Sequence, residues 1–139
     1  MPASDFDFLD LRAGPRALAH LRERGIAPAD VRAIPAAAGG PKGLALIPLD
    51  RRIAREWLPE MPRVELAGAS IGAWRMAALA QPDAVAALDR LKRAYVRDQN
   101  YRRDPSPAEV GATIRAVARQ VLVEGRLDVR EGVSLDVLV

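Results

Sequence analysis

The sequence predicts an α/β domain built on a parallel sheet with helices on both faces. Three observations carry that expectation. Short apolar runs alternate with amphipathic helical stretches, two glycine-rich turns each lie between such a run and a helix, and no uncharged apolar window reaches the length of a membrane span. The chain has 139 residues, enough for one domain with its own core, and 50% are hydrophobic against 28% charged, a globular composition rather than a disordered one.

The elements follow in order. Pro15–Arg24 reads as a helix, because Pro15 fits the first turn, Leu18 and Leu21 give an apolar face and Gly25 is a stop signal. Residues 31–36 read as a strand, and Pro35, with no N–H to give a ladder, places it at a sheet edge or ends it early. After the turn Gly39-Gly40-Pro41-Lys42-Gly43, residues 44–57 read as a helix that Pro48 is expected to kink. Pro59 and Pro62 mark a loop, residues 64–67 a second strand, and residues 71–80 a helix directly after a second turn. Residues 84–98 carry Val85, Leu88, Leu91 and Tyr95 at helical spacing, and residues 108–123 carry Val110, Ile114, Val117 and Val121. Glu124-Gly125 ends that helix, and residues 133–139 alternate weakly as a strand.

Composition excludes several chemistries. With 21 Lys and Arg against 18 Asp and Glu, the net charge of +3 is too small to bind a polyanion by itself, so no nucleic acid is expected. The absence of cysteine removes disulfides, thiolate metal sites and Cys nucleophiles. The single His20 removes any histidine cluster, and on an Arg-rich helix it reads as a surface residue. No metal and no cofactor are expected. The acidic start Met1-Pro2-Ala3-Ser4-Asp5 lacks the order of a signal peptide, so the expected location is cytoplasmic.

The most informative local pattern is Gly68-Ala69-Ser70-Ile71-Gly72, a G-x-S-x-G between a predicted strand and a predicted helix. That is the context of a nucleophile elbow, in which a sharp turn lifts a serine hydroxyl clear of the sheet and side chains at the flanking glycines would collide. The simpler alternative is a turn in which Ser70 only caps the helix. The earlier turn, Gly39 to Gly43, lets backbone N–H groups of Gly39 and Gly40 converge as an oxyanion hole requires, with Ile71 N–H at the helix start as a further donor. Lys42 is placed to balance developing charge or to hold the loop. A phosphate-cradling loop competes, but Lys42 precedes Gly43 with no Ser or Thr after it, and G-x-G-x-x-G is absent.

Together, the two turns resemble the patatin-like phospholipase family, in which a glycine-rich oxyanion loop with a basic residue precedes a G-x-S-x-G elbow. The resemblance covers roughly residues 31 to 80 and falls on Gly39, Gly40, Lys42 and Gly43 of the loop and on Ser70 of the elbow, with Gly68 and Gly72 supporting it. Ala37 and Ala38 replace the Asp and first Gly of the family's loop. The resemblance implies a three-layer serine hydrolase fold and a lipid acyl hydrolase using a Ser–Asp dyad on acyl esters, with transient contact at a membrane surface. The family's Asp lies in a downstream Asp-Gly motif, and this chain contains no Asp-Gly. The expectation is therefore one domain over residues 1–139 that forms the N-terminal portion of a longer hydrolase domain, incomplete at its C-terminal strand. A second copy or a partner would then cover that strand. The alternative is a shortened, non-catalytic relative that binds lipid or a partner protein. Beyond the two turns, Trp74 reads as core packing, Arg75 as a residue that could meet a head group, and Arg90, Lys92, Arg93, Arg97, Arg102 and Arg103 as a solvated helix face.

Overall fold

A computed structural model describes residues 12–122 and 125–138. Three strands, β1 (Ala33–Ala36), β2 (Val64–Ala69) and β3 (Val133–Leu138), form a parallel sheet in the order β1–β2–β3. The helices are α1 (Pro15–Arg24), α2 (Ile47–Arg52), α3 (Ile71–Leu79), α4 (Ala84–Arg97) and α5 (Pro107–Val121). Pro35 sits in the edge strand, where its missing N–H costs no ladder bond. Because the strands are parallel, their C-terminal ends share one side of the sheet. Ala36 lies opposite Gly68, and Ala69 opposite Leu138.

Among the described residues helices cover only one face, where the sequence predicts cover on both. Ile34, Leu66 and Leu135 are register partners on the covered face, where α3 packs, and α4 stacks on α3 and α5 on α4. Ala33, Glu65 and Ser134 line up on the opposite face, as do Pro35, Ala67 and Asp136, and all six are exposed except the half-buried Ala67. The polar residues at alternate positions of β2 and β3 leave that face too little apolar area to hold a helix. The crossover from β2 to β3 instead stacks its three helices outward on the same side.

The core centres on Leu66, Met76, Leu79, Leu88, Leu91, Val117 and Val121, each fully buried. Alanines at 78, 87 and 94 are equally buried and let α3 and α4 approach closely. By contrast α1 buries no residue, and its Leu18 and Leu21 are half-buried.

The predicted helix over 44–57 is a continuous helical segment in several geometries. A 3-10 turn (Gly40–Leu46) leads into α2, a π turn (Ile53–Trp57) follows, and a 3-10 turn (Leu58–Glu60) closes it. Pro48 stands in the first turn of α2, where proline is tolerated, and the winding changes from 3-10 to α immediately before it. No described helix is long and apolar enough to cross a membrane.

Candidate active site

Extended β2 must turn sharply to enter α3, and Ser70 carries that turn. It is the single non-glycine residue at positive φ among the described residues, with φ 53° and ψ −124°. Such a conformation costs an L-residue about 1–3 kcal/mol, so the surroundings must impose it. Two backbone hydrogen bonds hold it: Ser70 N–H donates to Leu138 O at 2.9 Å, and Ser70 O accepts from Trp74 N–H at 3.2 Å. The Ser70 side chain makes no capping hydrogen bond to α3 and is exposed, so the simple capping role is not the one it plays.

The flanking glycines are required by contact. A Cβ on Gly68 would lie 2.6 Å from the carbonyl carbon of Gly72 and 2.7 Å from Ala73 N. A Cβ on Gly72 would meet the Ala36 carbonyl oxygen and lie 2.8 Å from Ala37 O. The second of these contacts presses the first turn of α3 against the end of β1, where the other glycine turn begins.

That turn leaves β1 beside the elbow. Gly39 has φ 168° and ψ 9°, and Gly40 adopts the left-handed region at φ 57°. Gly43 faces Ile71 so closely that a Cβ there would lie 2.7 Å from Ile71 Cγ2. Gly43 and Gly72 thus bring the loop and the elbow together, with Gly39 and Gly40 on the loop and the start of α3 at Ile71. Lys42 is exposed and forms no ion pair among the described residues.

A cleft of about 440 Å³ runs beside the loop, lined by Gly39, Lys42, Gly43, Leu46 and the pair Asp50 and Arg75 among others. Ser70 lies outside its lining. It shares Ile34, Leu49 and Ile53 with an adjoining apolar cleft of about 480 Å³ walled by Val31, Trp57 and Met61. Leu46 and Leu49 stand 46% and 54% exposed along this groove, unusually open for leucines.

Arg75 does not face solvent as a head-group contact would. It is 5% exposed and donates from Nε and Nη2 to the two carboxylate oxygens of Asp50, both at 2.7 Å, and Asp50 is 2% exposed. This bidentate pair joins α2 to α3 and is the element of the site that sequence reading missed. Its partners lie 25 residues apart with no shared motif. Removing one partner of such a pair costs about 3–5 kcal/mol, because the other is left charged and buried.

No general base meets Ser70 among the described residues. Among the described residues Ser70 Oγ has no hydrogen-bond partner. His20 sits on α1 with Nε2 3.2 Å from Asp30 Oδ1, both half-exposed. The hydrogen bond from Ala27 N–H, then that with His20, hold the Asp30 carboxyl below its usual range. Asp83 is held low first by its hydrogen bond from Arg90. Asp89 pairs with Arg51, Asp98 accepts from Gln120, and Asp136 is exposed on the open sheet face. Trp74 is half-buried against the core. Arg90, expected on a solvated face, also donates to Gln81 Oε1 and Val121 O, and so ties the end of α5 to the turn before α4. No protein-family model, curated protein or solved structure matches the chain.

Proposed function

We propose that this chain carries the nucleophile half of a patatin-like serine acyl hydrolase, with Ser70 attacking an acyl ester. The strained backbone of Ser70 between two obligatory glycines is the observation that supports this most. In that reading Ser70 Oγ bonds to the ester carbonyl carbon, and the carbonyl oxygen becomes an oxyanion held by N–H groups of Gly39, Gly40 and Ile71. Collapse expels the alcohol with the serine proton and leaves an acyl-serine, which water then hydrolyses. The apolar groove from Leu46 to Trp57 suits a lipid acyl chain of a phospholipid or neutral lipid. A cytoplasmic location, with transient contact at a lipid surface, accords with the reading.

The Ser70 hydroxyl, without a partner among the described residues, favours a second reading, a non-catalytic relative that keeps the pocket as a binding site for lipid or a partner protein. A serine without a base is a weak nucleophile. Turnover of p-nitrophenyl esters from butyrate to laurate separates the two. The hydrolase reading expects turnover that rises with chain length and is lost in Ser70→Ala. Turnover that is absent, or unchanged in Ser70→Ala, contradicts it.

A further inference from the structure

We infer that Asp50 and Arg75 are positioning residues that lock the glycine loop in register with the serine elbow; this rests on the proposed role of Ser70. Asp50 lies on α2, four residues after the 3-10 turn that carries Gly43, and Arg75 lies on α3, five residues after Ser70. Their side chains meet along two parallel hydrogen bonds of 2.7 Å. Both line the cleft that also holds Gly39 and Gly43.

The surroundings argue for a directional role. The pair is buried, as are Ile47, Ala54, Met76 and Leu79 on the same helical segments, each under 9% exposed. Two charges in such a place gain little over apolar side chains of similar volume, because desolvation offsets their attraction. A planar guanidinium fork on a carboxylate does supply what apolar contact cannot: a fixed distance and a fixed orientation between two elements. The turns leading into those elements carry Gly39 and Gly40 on one side, and Ser70 with Ile71 on the other. Apolar packing tolerates shifts of the order that spoils such a site, where groups must be held within about 0.5 Å. The contact of Gly43 with Ile71 sets how near the two turns come, and the ion pair sets their relative rotation and slide.

The test uses the full chain and the double variant Asp50→Leu/Arg75→Met, which leaves no buried charge unpaired, together with Arg75→Lys, which keeps the charge and loses the fork. Fluorophosphonate labelling of Ser70 is measured as maximal rate and half-saturating concentration, beside melting temperature. The expected result is a double variant that melts near the wild type and labels at least ten-fold more slowly, with the loss in maximal rate and little change in half-saturation. Arg75→Lys is expected to lose rate in the same sense. A folded double variant labelling at the wild-type rate overturns the inference. Should the double variant not fold, Arg75→Lys at the wild-type rate overturns it instead. Amide exchange at Gly39, Gly40 and Ile71 gives a readout independent of Ser70 reactivity. The inference expects faster exchange there in the folded variant, with α5 unchanged, and equal exchange rejects it. A wild-type chain that never labels counts against the role of Ser70 alone, and the exchange result then decides the role of the pair.

Discussion

Ser70 holds a backbone conformation that glycine adopts freely and serine does not, and its neighbours enforce it through contacts a methyl group would break. Strain of this kind is kept where function gains from it. Ser70→Gly should therefore stabilise the fold by about 1 kcal/mol, the relieved strain less the added chain entropy of glycine. Denaturant unfolding checks it, and a loss of stability would mean that the turn is not strained. A second residue-scale expectation concerns acid. Asp30 and Asp83 both titrate below their unfolded value near 3.8, so their contribution is complete above that value and fades as pH falls through their folded values. The Asp30→Asn/Asp83→Asn variant should lose less stability than the wild type between pH 5 and pH 3, read from urea midpoints. An equal acid loss in both proteins would contradict this.

Among the elements, helix starts and stops were the most legible features. Pro15 and Gly25 bound α1, and the apolar spacing of residues 85–95 and 110–121 placed α4 and α5 on the core. Ser106 is the side-chain cap of α5, accepting from Glu109 N–H at 3.2 Å. Ser106→Ala should cost about 1 kcal/mol of unfolding free energy. It should leave Ser70 chemistry untouched, since α5 packs chiefly on α4. A drop in Ser70 labelling in that variant would tie α5 to the site. The π turn at Ile53–Trp57 was not legible, because local apolar spacing is compatible with several helical windings and packing selects among them. The open sheet face was legible but outweighed. Val133-Ser134-Leu135-Asp136-Val137 alternates as a half-covered strand does, while parallel order argued for cover on both sides.

At the scale of the molecule, the two glycine turns come together because parallel strands end on one side of the sheet, and both turns follow neighbouring strands. That convergence could be read from strand order and the two motifs. The Asp50–Arg75 pair could not, since no local pattern marks two residues that meet only through the packing of α2 on α3. On the proposed function, loop and elbow form a working nucleophile site. The most direct measurement is fluorophosphonate labelling of the purified 139-residue chain beside Ser70→Ala, with the modified peptide identified by mass. One adduct per chain is expected, on Ser70, absent from Ser70→Ala. A folded chain that takes up no probe, or takes it up equally with Ser70 replaced, would contradict it.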